Sequence, residues 1–260
     1  MIHKPVVVGI DGSPAADVAV KWAALEAAAQ HTDLRLLYAL GAGESAARAA
    51  DIVHRSVTHA RGLEPGVTVD GRIENGVPSV VLEKASGDAA VVVIGSRGLG
   101  VMVGALIGST GLDLAANARC PVVVVRPDLG SMAGVRVVIG YDGSRASETA
   151  LGFGLDYARR HDLAVRVVAA QPEGTELHRL TETEVRDAVH ARGGHDAELI
   201  QITGHPAEHI LRLAADANLI VLGARGRGGF AGMLIGSVSQ TVLHHADCPV
   251  AVIPAAAYGG

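Results

Sequence analysis

Two stretches of this chain carry residue types suited to holding an anion. Gly95-Ser96-Arg97-Gly98 is followed by nine residues and then Gly108-Ser109. Gly223-Ala224-Arg225-Gly226 is followed by nine residues and then Gly236-Ser237. An apolar run feeds each: Ala90-Val91-Val92-Val93-Ile94 before Gly95, and Leu219-Ile220-Val221-Leu222 before Gly223. A short apolar run ending in glycine reads as a buried strand entering a tight turn. Glycines there let the backbone take φ > 0 and bring bare N–H groups against a ligand. Such groups suit phosphate when a helix N-terminus lies beside them. Gly108-Ser109 and Gly236-Ser237 precede predicted helices, where N–H groups and the positive end of the helix dipole converge. The hydroxyls of Ser109 and Ser237 can cap those helices or donate to a phosphate oxygen. Arg97, Arg225 and Arg227 lie among the glycines and read equally as phosphate partners or as solvated loop charges.

Other chemistry is sparse. Asp11 and Asp142 are the only plausible metal partners near these stretches, one per copy, and one carboxylate plus phosphates can hold Mg²⁺. No Gly-x4-Gly-Lys-Ser/Thr and no Gly-x-Ser-x-Gly occurs, and no base to activate water is evident. His205 and His209 stand four apart on a predicted helix, without a third ligand at a completing spacing, and read as a surface pair. His244-His245 read as a solvated helix end, and His54 and His59 as a polar helix face. Trp22 reads as core. Cys120 and Cys248 occupy matching places before Pro-Val runs and read as small buried side chains, not as a disulfide or metal set.

The elements that must position these residues come in two sets. Val6-Val7-Val8-Gly9-Ile10-Asp11-Gly12-Ser13 matches Val137-Val138-Ile139-Gly140-Tyr141-Asp142-Gly143-Ser144 at an offset of 131, and the glycine motifs match at 128. This is a duplicated domain, far longer than a solenoid unit. The Pro- and Gly-containing stretch 127–134 suits a short linker, giving domains 1–130 and 131–260. In the first copy, strands are expected over 6–10, 34–40, 67–73, 90–94 and 122–125, and helices over 13–30, 44–61, 78–85 and 109–117. Ser13 is the expected N-cap of the first helix, with Pro14 at its first position. In the second copy, strands are expected over 136–141, 165–169, 198–203, 219–222 and 250–253. Its helices are expected over 144–161, 181–191, 206–217 and 237–246. Alternating strands and helices with near-continuous Val/Ile/Leu strands predict α/β: two tandem doubly wound, five-stranded parallel sheets. Ligands in such sheets sit past the carboxyl ends of the strands, where Asp11, Gly95, Asp142 and Gly223 fall.

At 260 residues and 49% hydrophobic, the chain can bury one core per copy. The net charge of −5 argues against nucleic acid as the main partner. No stretch approaches the ~20 apolar residues of a bilayer span. No leader with a cleavage site follows Met1, so the expected location is cytoplasmic.

The early Asp-Gly-Ser, the Gly-x2-Gly-x9-Gly-Ser after the fourth strand and the closing Cys-Pro-Val strand together resemble the universal stress protein family. The duplication resembles its tandem-domain members, whose fold is that of the adenine nucleotide alpha hydrolases. The resemblance covers essentially the whole chain. It implies an ATP-binding protein in which Asp11 and Asp142 lie near ribose and adenine, and the backbone of Ala39 and Ala170 meets the adenine edge. It implies phosphate contacts at Gly95, Gly98, Gly108, Ser109 and Thr110, and at Gly223, Gly226, Gly236, Ser237 and Val238. Gly9 and Gly140, on the first strands, complete each set. Family members that enclose ATP often have a longer segment after the second strand; here it is Gly41-Ala42-Gly43 and Pro172-Glu173-Gly174. Three readings follow from the resemblance: a nucleotide-dependent stress regulator that is not an enzyme, an interaction module that binds cyclic AMP or no nucleotide, and a slow ATPase. The expected ligand is ATP or a related adenine nucleotide, with or without Mg²⁺. The expected assembly is an intramolecular pseudo-dimer that can pair further as a homodimer.

Overall fold

The strands form because their runs of Val, Ile and Leu are stiff at χ1 and pack well on a pleated surface. In β1 (Val6–Ile10), Val6, Val7 and Val8 are fully enclosed, as are Val91, Val92 and Val93 of β4 (Val91–Gly95). A computed structural model describes residues 4–96, 108–127, 134–171, 180–227 and 234–258. The chain divides into two compact units, Met1–Leu129 and Gly130–Gly260.

In the first unit, β1 leads to α1 (Pro14–Gln30), β2 (Leu34–Leu40), α2 (Ala46–Leu63) and β3 (Val69–Asn75). There follow α3 (Pro78–Ala85), β4, α4 (Ser109–Asn117) and β5 (Val122–Val125). The strand order is β3-β2-β1-β4-β5, and each described pair is parallel. The second unit repeats the plan. It runs β6 (Arg136–Tyr141), α5 (Arg145–His161), β7 (Ala164–Gln171), α6 (Glu182–His190) and β8 (Glu198–Thr203). Then come α7 (Pro206–Leu213), β9 (Ala217–Gly223), α8 (Ser237–His245) and β10 (Val250–Ile253). Its order is β8-β7-β6-β9-β10, again parallel. The expected doubly wound α/β class is what the chain adopts. In the first unit α1 packs beside α2, and α3 beside α4. Right-handed crossovers that reverse direction at the centre put these pairs on opposite faces of the sheet. The reversal falls between β1 and β4, and between β6 and β9.

Several element ends differ from expectation, each for a local reason. α2 begins at Ala46, not 44, because Ser45 is the N-cap and accepts the Arg48 N–H. β3 begins at Val69, not 67, because the Val67 N–H is used on the Glu64 carbonyl in a turn. α7 stops at Leu213, and Ala217 opens β9 opposite Arg136. Thr181 caps α6 from outside: its side chain accepts the Glu184 N–H, and the Glu184 carboxylate accepts the Thr181 N–H at 2.7 Å.

Candidate functional site

Each Asp-Gly-Ser is a device for turning a strand into a helix. The Asp11 carboxylate accepts the Ser13 N–H at 2.9 Å, and Ser13 Oγ accepts the Ala16 N–H at 3.2 Å to cap α1. Gly12 between them takes φ +81°, a left-handed conformation that favours glycine. The second copy repeats this: Ser144 N–H to Asp142 at 3.0 Å, Ser147 N–H to Ser144 Oγ at 3.2 Å, and Gly143 at φ +71°. The turn leaves each aspartate at the carboxyl end of the central strand.

The described glycines of the Gly-x2-Gly-x9-Gly-Ser motif do not have positive φ, which corrects the expectation for them. Gly108 and Gly236 take φ −76° and −71°. The requirement at Gly95 is steric: a Cβ there would lie 2.7 Å from the Ala15 carbonyl carbon and 2.9 Å from its oxygen. At Gly223 it would lie 2.6 Å from the Ala146 Cβ. The helix that follows the Asp-Gly-Ser thus rests directly on the end of the fourth strand. Gly9 and Gly140 make similar room for Leu82 of α3 and for Leu222. The motif's two ends are tied together. The Gly108 N–H donates to the Ser96 carbonyl at 3.1 Å, and the Gly236 N–H to the Ala224 carbonyl at 2.7 Å.

In the first unit these features converge on a cavity of about 360 Å³ at the carboxyl ends of β1, β2 and β4. Gly9, Asp11, Ala39, Gly95, Gly108, Ser109 and Thr110 all line it. Arg97 and Gly98 lie outside the described residues, as does the segment Pro172-Glu173-Gly174. The volume falls within the ~300–1,000 Å³ of small-molecule pockets. The residues that sequence reasoning missed are Tyr38, Glu44, Ser96 and the apolar wall of Leu37, Pro78, Leu82 and Ile94. Tyr38 had a signal, since it precedes Ala39 at the strand end. Tyr38 Oη donates to Glu44 Oε2 at 3.2 Å, and the Gly41 N–H donates to the same oxygen at 3.2 Å. Burial, then the Glu44 charge and hydrogen bond, raises the Tyr38 pKa above its ordinary value.

At the far end of the cavity stands the start of α4. Its N-cap is Gly108, which has no side chain to bond the first-turn N–H groups. Ser109 and Ser237 are therefore first helical residues and not N-caps, and no side-chain cap bond serves either helix. The hydroxyl of Ser96 faces a similar situation. Ser96 is 2% exposed, lines the cavity, and its Oγ meets no hydrogen-bond partner among the described residues.

In the second unit the matching residues make these contacts. The Asp142 carboxylate also accepts the Arg227 N–H, at 2.7 Å, and Gly226 lies against it. Arg227 Nη2 donates to the Gly143 carbonyl at 3.1 Å, and Arg225 Nε to the Leu234 carbonyl at 3.3 Å. Both arginines thus bond loop backbone. Gly140 lies in β6 and Asp142 directly follows it, Gly223 ends β9, and Ser237 and Val238 open α8 behind its N-cap Gly236. Ala170 lies in β7 opposite Ile202. Tyr141 takes the place of Ile10 and donates to Glu148, which Arg192 meets at 2.6 Å. Burial, followed by Glu148, raises the Tyr141 pKa.

Cys120 and Cys248 are buried and are not joined in a disulfide among the described residues, and Trp22 is 2% exposed. His205 is the N-cap of α7, while His209 Nδ1 meets Arg212 Nη2 at 3.0 Å. Among the described residues, no three His, Cys, Asp or Glu side chains gather as a metal site. No helix among them is long and apolar enough to cross a membrane.

Comparison with known proteins gives a consistent result. The sequence model described as "Universal stress protein family" matches twice, over residues 3–126 and 135–254. A universal stress protein of Mycolicibacterium smegmatis is 33% identical over 282 aligned positions, covering 95% of this chain and 96% of that protein. One from Mycobacterium tuberculosis is 30% identical over 291 positions, covering 95% of each. Both alignments are longer than this chain, so both relatives carry insertions relative to it. A universal stress protein structure from Archaeoglobus fulgidus has a TM-score of 0.78 at 19% identity, over 98% of this chain and 99% of that one. That last likeness is one of fold.

Proposed function

The chain belongs to the universal stress protein family along both of its halves, and from that premise we propose that its first unit binds ATP or a related adenine nucleotide. The nucleotide serves as a regulator's ligand and not as a metabolic substrate. Its phosphates lie toward the start of α4, and its base lies toward Ala39 and Tyr38. Occupancy changes the surface offered to a partner in a stress response.

The observation that carries this reading is the uncapped start of α4 inside the cavity. Of the first-turn N–H groups, that of Gly111 bonds the Gly108 carbonyl at 3.1 Å; those of Ser109 and Thr110 precede the helical bonding pattern, and a phosphate supplies them an acceptor together with charge complementary to the dipole. The Ser109 and Thr110 hydroxyls line the same end. Asp11 is the carboxylate that would share Mg²⁺ with phosphate oxygens, and the ion would offset the charge between them. Of the cavity's two carboxylates, Asp11 holds the Ser13 N–H, and Glu44 holds Tyr38 and Gly41. That engagement favours binding over turnover.

The test is isothermal titration of the full chain with ATP, ADP and AMP, with folding checked by circular dichroism. Saturable heat at micromolar to high-micromolar nucleotide is expected. A folded protein that gives none with any of the three refutes the reading.

A further inference from the structure

The two units share one plan, yet they do not offer a phosphate the same groups. At the 128-residue offset of the motif, Ser96 of the first unit becomes Ala224 in the second, and Thr110 becomes Val238. Gly111 becomes Ser239, whose hydroxyl is already used on the Gly223 carbonyl at 2.7 Å. The first unit therefore brings the hydroxyls of Ser96, Ser109 and Thr110 toward one cavity. At the matching places the second unit keeps only that of Ser237.

Ser96 is the sharpest of these differences. A hydroxyl that is 98% buried and finds no partner among the described residues destabilises the free protein, because it has given up water without a replacement there. The side chain lines the cavity at the end of β4, one residue past Gly95 and directly across from the start of α4, whose Gly108 N–H its own carbonyl accepts. A phosphate oxygen seated on that helix start would give the hydroxyl its missing acceptor. Ala224 carries no such demand.

We propose that Ser96 is a phosphate-contacting residue peculiar to the first unit, and that its absence from the second limits tight binding to one nucleotide per chain. The proposal rests on the nucleotide-binding reading above and adds to it a ligand and an inequality between the sites.

Titration of the full chain with ADP, alongside Ser96→Ala and with ligand-free melting curves for both, tests it. The expected stoichiometry is one ADP per chain. Ser96→Ala should weaken binding about tenfold, the scale of one hydrogen bond to a charged group. It should melt no lower than the unmodified protein when ligand-free, because it removes an unsatisfied group. Two equivalent ADP molecules per chain, or an unchanged affinity in Ser96→Ala, would overturn the proposal while leaving nucleotide binding intact. Weaker binding accompanied by a lower melting temperature would make Ser96 a structural residue and also overturn it. No ADP binding by the unmodified chain would remove the proposal together with the function it rests on.

Discussion

The Asp11 carboxylate holds the Ser13 N–H, so its substitutions must be chosen to separate fold from binding. Asp11→Asn keeps a carbonyl oxygen for that N–H, and unfolding in urea should change by less than about 1 kcal/mol. Asp11→Ala loses the acceptor and should cost about 1 kcal/mol or somewhat more. If the two variants unfold alike, the turn does not depend on this bond. Gly95 makes a different demand. A methyl there meets the Ala15 backbone, which cannot swing aside as a side-chain tip would. Gly95→Ala should destabilise by about 1–3 kcal/mol through overpacking, measured by the urea midpoint. The need for glycine at 95 and 223 was legible in the sequence, but its cause was not. A pattern of letters cannot tell a left-handed turn from a helix lying 3 Å away; that distinction belongs to packing. Ser96 was illegible for the same reason. It stands at a variable position of the motif, and only its burial and lack of a partner give it weight.

At the scale of elements, the strands were the most legible part. β1, β2, β5, β6 and β10 lie where runs of apolar residues put them, because a strand buried on both faces tolerates little else. Ends were less legible where a side chain is drawn into a local bond. Glu44 looks like the first residue of a helix, yet its carboxylate folds back to the Gly41 N–H and Tyr38 Oη, leaving Ser45 to cap. Ala217 continues the helical spacing from Ile210 and Ala214, but it pairs with Arg136 in the sheet. α6 shows how much a helix start can depend on reciprocal capping. Thr181→Ala removes one half of its capping box and should cost about 1 kcal/mol in chemical denaturation. A loss well under half of that would mean that the packing of Val185 and Val189 carries the helix by itself.

At the scale of the molecule, the duplication was visible in the sequence, whereas the inequality we propose for the two sites was not. It depends on which groups face a cavity and which are consumed by backbone. Alkaline stability is another property of the whole chain. Burial pushes the Cys120 thiol from about 9 up to about 12, and Tyr38 and Tyr141 are also raised above 10.0, mainly by burial. Between the unfolded and folded values, the native state keeps protons that the unfolded state has lost. Stability is therefore full below about pH 9 and falls as pH rises toward 12. Cys120→Ala should flatten the early part of that fall in urea titrations run from pH 8 upward; a slope identical to the unmodified protein would exclude the thiol as its source. The tie between Ser96 and Gly108, with its twin between Ala224 and Gly236, also bears on what sets the spacing of the motif. Chain that leaves and re-enters a sheet at one point closes a ring, and the entropy of closing a ring rises only with the logarithm of its length. Adding three residues between Ser96 and Gly108 should cost only about 0.2 kcal/mol on that scaling, a shift near the detection limit of a melting experiment. The two copies nevertheless keep the same interval. Ring closure sets so loose a limit that its cost cannot be what holds both copies to nine residues between the second and third glycines of the motif.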